Sequence, residues 1–113
     1  MKSTHDFLPL APAVLHILLA LAGEDLHGYG IMQEVTRQSE GRYKLGPGTL
    51  YDNLQRLVRQ GLVEPAGDEP DSRRLNYRLT SLGKRVIAAE ISRLETVVRE
   101  GRLRIPGSRL RKA

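Results

Sequence analysis

Apolar and polar positions alternate along this chain with a period that changes from segment to segment. From Leu8 to Ala22 the run is apolar almost all round. It predicts a first helix over about Pro12–Ala22, opened by a proline in its first turn and covered on more than one side. Gly23, Glu24 and Asp25 end it. Ile31 and Val35, with Met32 beside them, predict a second helix over about Tyr29–Ser39, stopped by Gly41. Arg42–Leu45 reads as a very short strand. Leu50, Leu54 and Leu57 then fall within about 60° of helical arc, with Val58 adjacent. They predict a third helix over about Pro47–Gln60, ended by Gly61. Leu62–Ala66 reads as a strand, Gly67–Ser72 as a turn-rich loop, and Arg73–Leu79 as a half-buried strand. In that last strand Leu75, Tyr77 and Leu79 lie on one face, and Arg74, Asn76 and Arg78 on the other. Thr80 is placed to cap a fourth helix reaching about Arg102, with Pro106 beyond it.

Three short helices, a two-stranded hairpin and a long helix make a mainly α chain with a small β-hairpin wing. This is the element order of a winged helix-turn-helix with a long C-terminal dimerisation helix. Residues 1–8 read as a loose N-terminal arm, 9–79 as the winged-helix DNA-binding domain, 80–104 as the dimerisation helix and 105–113 as a basic tail. The fourth helix has two apolar stripes. Leu82, Val86 and Ala89 are expected to pack on their own domain. Ile87, Ile91, Leu94 and Val98 form a coiled-coil-like seam expected at a dimer interface. Burying four aliphatic side chains yields roughly 6–12 kcal/mol gross. Association costs about 4–15 kcal/mol, so one helix alone is marginal. A symmetric pair, helped by the first helix, is favourable.

Composition changes this picture in three ways. A length of 113 residues fits one domain, and 40% hydrophobic content allows only a small core, which favours pairing. The net charge of +5 is concentrated in the second half: residues 1–56 hold five Lys+Arg against six Asp+Glu, and residues 57–113 hold thirteen against seven. Such a basic half suits a polyanionic partner or an anionic surface, or serves solubility alone. The absence of cysteine excludes disulfides and thiolate metal sites and fits a reducing, cytoplasmic setting. Leu8–Ala22 ends in a sequence resembling a signal-peptide cleavage site, but Asp6, Pro9, Pro12 and His16 and the lack of a compact basic start favour a buried helix. The run is too short to cross a bilayer, which needs about 20 residues.

The third helix has chemistry that a plain core helix does not need. Opposite its leucines stand Gly48, Asp52, Gln55, Arg56 and Arg59, flanked by Thr49 and Tyr51. Arg can meet guanine bidentately, Gln can meet adenine, and Tyr can touch a phosphate, a sugar or a thymine methyl. Pro47 pre-sets the first turn, and Gly48 leaves its amide open to a phosphate at the positive end of the helix dipole. The alternative role of Gly46-Pro47-Gly48 is a tight turn into the helix. Asp52 can accept from a cytosine amino group, or pair with Arg56 four residues on, which is the favoured reading. Lys44 is a phosphate ligand candidate, as is Arg42. On the wing, Arg73 and Arg74 can reach a phosphate or the minor groove, although Asp68, Glu69 and Asp71 in the same loop blunt their field.

The stretches "LHGYGI", "GPGTLYDNLQRLVRQGLVE" and "RRLNYRLTSLGKRVI" resemble the PadR family of transcriptional regulators over about Leu8–Arg99. "GTLY", the Arg-Leu that follows and the Gly-Leu-Val exit carry most of that likeness. The resemblance implies a dimeric DNA-binding repressor, in some members released from DNA by small phenolic or drug-like molecules. It implies Gly48, Thr49 and Tyr51 as DNA contacts of the third helix, and Arg73 and Arg74 as those of the wing. Leu75 stands where the family often has an aromatic, and the short segment after the wing leaves little room for an elaborate sensor domain.

The expected function is therefore a dimeric, sequence-specific repressor on a palindromic operator, its two recognition helices one DNA turn or a multiple apart. A small aromatic or drug-like effector would fit a dimer cleft between the first and fourth helices, with His16 as a polar handle. The alternative is a winged-helix protein-interaction module without DNA binding, which would present a hydrophobic face on the third helix. Nothing suggests an enzyme, a cofactor, a membrane partner or a metal: His5, His16 and His27 lack ligand spacing, and no nucleophile motif is present.

Overall fold

A computed structural model describes the protein over residues 3–66, 75–105 and 107. The chain runs from a 3-10 turn at Thr4–Phe7 into α1 (Pro12–Gly23), β1 (Leu26–His27), α2 (Gly28–Gln38) and α3 (Pro47–Arg59). It continues through β2 (Val63–Pro65) and β3 (Asn76–Leu79) into α4 (Ser81–Arg104). The expected helices are all present, with ends within a residue or two of the positions read from sequence. α1 is the hub and packs against α2, α3, α4 and β3, as its all-round apolar character demands. Ile17 and Leu18 of α1, Ile31 and Val35 of α2, Leu50, Leu54 and Leu57 of α3, and Val86 of α4 fill the core.

Local chemistry explains where α3 stops. Gly61 has φ +78°, a left-handed conformation that costs a residue with a Cβ about 1–2 kcal/mol. There the Gly61 N–H donates to Val58 O at 3.0 Å and the Leu62 N–H to Leu57 O at 3.0 Å. This Schellman arrangement satisfies the last carbonyls of α3 and turns the chain into β2. At the start of α4 the Thr80 hydroxyl accepts from the Gly83 N–H at 3.0 Å, the expected cap. The same hydroxyl donates to Gly61 O at 2.6 Å, tying the end of α3 to the start of α4.

Four expectations need correction. The wing is not a two-stranded hairpin alone: β1 joins it to give a three-stranded antiparallel sheet in the order β1-β3-β2. Leu26 pairs with Tyr77 and His27 with Asn76, while Val63 pairs with Leu79 on the other side. Arg42–Leu45 is not a strand. The Ser39 hydroxyl takes both backbone groups of Tyr43, accepting from its N–H at 3.0 Å and donating to its carbonyl at 3.1 Å, so no ladder can form there. Leu75 is not part of the strand: β3 begins at Asn76, and Leu75 lies half exposed just ahead of it, beside Tyr77 in a groove between α3 and the sheet. The N-terminal arm is not loose over the residues described. Phe7, Leu8 and Leu10 pack on the core, and the Leu10 N–H donates to Glu90 Oε2 at 2.9 Å.

Glu90 is buried within α4 and also receives the Arg93 guanidinium, at 2.6 Å to Oε1. That guanidinium, together with the Leu10 amide, holds the Glu90 carboxyl below the usual carboxylate range, against the opposing effect of burial. Of the expected seam on α4, Ile87 is buried in the chain's own core. Ile91 and Val98 are exposed and Leu94 is half-buried.

Candidate nucleic-acid interface

The amphipathic pattern of α3 separates its two surfaces as the leucine spacing requires. Leu50, Leu54 and Leu57 are buried. Gly48, Thr49, Tyr51, Asp52, Gln55, Arg56 and Arg59 are all exposed on one side, and Lys44 is exposed just ahead of the helix. The N-cap residue Gly46 offers no side-chain acceptor, and Pro47 occupies the first turn. A Cβ built on Gly48 would meet open space, so packing within the chain does not call for glycine there.

The expected Asp52–Arg56 pair is absent among the described residues. Both side chains are exposed, and a surface pair gains about as much as it loses in side-chain freedom. Asn53 instead turns back on its own helix, donating to Thr49 O at 2.8 Å. Arg78, on the outward face of β3, is held by Glu64 of β2 at 2.7 Å. Arg73 and Arg74, with Asp68, Glu69 and Asp71, lie outside the described residues.

Tyr51 stands apart from its neighbours on α3. It is 44% exposed, yet its phenol reaches across to the first residue of α2, where a Cβ on Gly28 would overlap its hydroxyl. Tyr77 of β3 lies within electrostatic reach of Tyr51. Burial lifts the Tyr77 phenol above its ordinary range, and a charge on Tyr51 would lift it further. The sequence reading missed Gly28 as a support of this site; the usable signal was a glycine at a helix start, inside "LHGYGI".

His16 is not aimed at α4. Its ring stacks on Tyr43 at 4.9 Å between centroids, its Nδ1 lies 3.2 Å from Gln38 Nε2, and its carbonyl accepts from the same amide at 2.9 Å. Those contacts tie α1 to the end of α2 and the loop that follows. Among the described residues no group of acidic and histidine side chains is arranged to hold a metal ion. None of the described helices is long and apolar enough to cross a membrane.

A helix docked by one face with a polar, basic opposite face, next to a small antiparallel sheet and capped by a long helix, is a winged helix-turn-helix. Residues 14–89 match the "Transcriptional regulator PadR-like family", and the chain belongs to it. Transcriptional regulator Rv3488 of Mycobacterium tuberculosis is 37% identical over 87 residues, covering 76% of this chain and 78% of that protein. A PadR family transcription regulator from Clostridium difficile superposes with a TM-score of 0.70 at 21% identity, covering 82% of this chain and 97% of that one. Bacillus subtilis PadR in complex with operator DNA superposes with a TM-score of 0.61 at 20% identity, over 74% of this chain and 48% of that one.

Proposed function

We propose that this PadR-like regulator is a homodimeric repressor that reads a palindromic operator with α3. The observation that carries the reading is the exposed face of that helix. It holds donors of two kinds, Arg56 and Arg59 for guanine edges or phosphates and Gln55 for adenine, beside the open amides at Gly48 and Thr49. Lys44 adds a phosphate contact, Tyr51 a sugar or methyl contact, and Arg73 and Arg74 the wing contacts. A protein-interaction module would instead show apolar residues on this face. The B. subtilis relative bound to operator DNA supports the same use of the fold. Pairing of two copies through Ile91, Leu94 and Val98, with Ile87 behind them, supplies the second half-site reader. A small aromatic or drug-like effector that alters this pairing would relieve repression. His16, already engaged by Gln38 and Tyr43, is a weak handle for it.

Selection of bound duplexes from a random pool tests the reading. An enriched palindrome with half-sites about one helical turn apart is expected. Enrichment of no sequence would overturn it. Leu94→Glu places a charge in the seam, so sedimentation should show a monomer, and affinity for the selected duplex should fall at least about 100-fold as one half-site is lost. A dimer that survives this change would remove α4 from the interface.

A further inference from the structure

Gly28 has no side chain to bury, yet it is buried. The phenol of Tyr51 covers it. A Cβ added to Gly28 would stand 2.8 Å from Tyr51 Cζ and 3.2 Å from Cε1, besides overlapping the hydroxyl. The backbone does not demand glycine here, since positive φ among the described glycines occurs at Gly41, Gly61 and Gly107. What requires a missing side chain is the ring itself.

The seat under the ring is fixed from two further directions. His27 caps α2, its Nδ1 accepting from the Gly30 N–H at 2.9 Å, which holds the first turn in place. The pairing of Leu26 with Tyr77 ties that turn to β3. α2 and α3 thus meet at this phenol, and β3 braces the turn beneath it.

We propose that Gly28 is a positioning residue for DNA recognition: the bare Cα at the start of α2 forms the seat that sets the direction of the Tyr51 ring on the exposed face of α3. The inference rests on the reading that Tyr51 touches DNA. A ring already held in its bound direction loses less freedom on binding than one that swings. The atoms nearest an alanine Cβ at position 28 all belong to the far end of the Tyr51 side chain, so the ring gives way and the backbone does not.

Three variants of the full chain, Gly28→Ala, Tyr51→Ala and the double change, separate the possibilities when titrated against the duplex selected with the wild-type protein. Tyr51→Ala is expected to weaken binding about tenfold or more. Gly28→Ala should weaken it to within about threefold of that, with a thermal midpoint equal to or above wild type, because alanine suits a helix better than glycine. The double variant should bind like Tyr51→Ala alone, since the second loss acts through the first. NMR contacts between the Tyr51 ring protons and the Gly28 α-protons should be present in the wild type. If Gly28→Ala melts early, the double variant should restore the midpoint of Tyr51→Ala, because the obstruction is then gone. Unchanged affinity for Tyr51→Ala would overturn the DNA-contact reading and this inference with it. Unchanged affinity for Gly28→Ala beside a weakened Tyr51→Ala would overturn the inference alone, as would fully additive losses.

Discussion

Two glycines stand in the first turns of two helices, and each is pressed against another part of the chain. Gly28 opens α2 under the phenol of Tyr51, and Gly83 lies in the first turn of α4 under the carbonyl of Leu62. An added Cβ collides in both places. The obstructions differ in kind. At Gly28 it is the tip of a side chain that can rotate away. At Gly83 it is a main-chain oxygen, pinned because it accepts the Thr80 N–H at 3.1 Å. Close approach of two segments therefore has two uses here. One directs a side chain outward, and the other locks α4 to the exit of α3.

The largest effect on stability is expected at Gly83. Gly83→Ala should lower the unfolding free energy by about 2–3 kcal/mol, because neither the carbonyl nor the helix start can yield cheaply. Calorimetry at fixed protein concentration should show a midpoint lower by about 10 °C. A wild-type melt would erase the distinction between the two glycines. Thr80→Ala probes the same junction without crowding it. Loss of the cap and of the bond to Gly61 O should cost about 1–2 kcal/mol, with Thr80→Ser recovering most of it. A cost equal to that of Gly83→Ala would show that hydrogen bonding, not clearance, dominates the junction.

A smaller, pH-dependent effect is expected where the N-terminal segment meets α4. The folded pKa of Glu90 lies below its unfolded value, chiefly through Arg93. Its ionised form therefore contributes stability that is fully present above the ordinary carboxylate pKa and is lost as pH falls through the folded one. Glu90→Gln should flatten the decline of the thermal midpoint on the acid side, below about pH 4.5. An unchanged acid limb would mean that other carboxylates set it.

The legible parts of the molecule were those with local causes. Leu50, Leu54 and Leu57 announce α3 because a helix repeats every 3.6 residues, and the same spacing leaves Gln55, Arg56 and Arg59 outside. Thr80 announces α4 because a cap acts within three residues. β1 has no local signature because two residues carry no periodicity, and its pairing with Asn76 and Tyr77 joins positions far apart in the chain. Arg42–Leu45 has the composition of a strand but does not form one, because the Ser39 hydroxyl, not a neighbouring strand, occupies the Tyr43 backbone. Ile87 belongs by spacing to the outer seam, but the body of the domain covers it.

Sequence alone determined which helices form, which face of α3 is polar, and that a glycine-rich turn precedes it, since each follows from propensity and period within a few residues. Only the tertiary structure decided that Gly28 lies beneath Tyr51, that Gly83 lies beneath Leu62, and that Glu90 receives Leu10. Those contacts join segments whose distance in space is set by the packing of α1 against its four neighbours, and no local pattern encodes that distance.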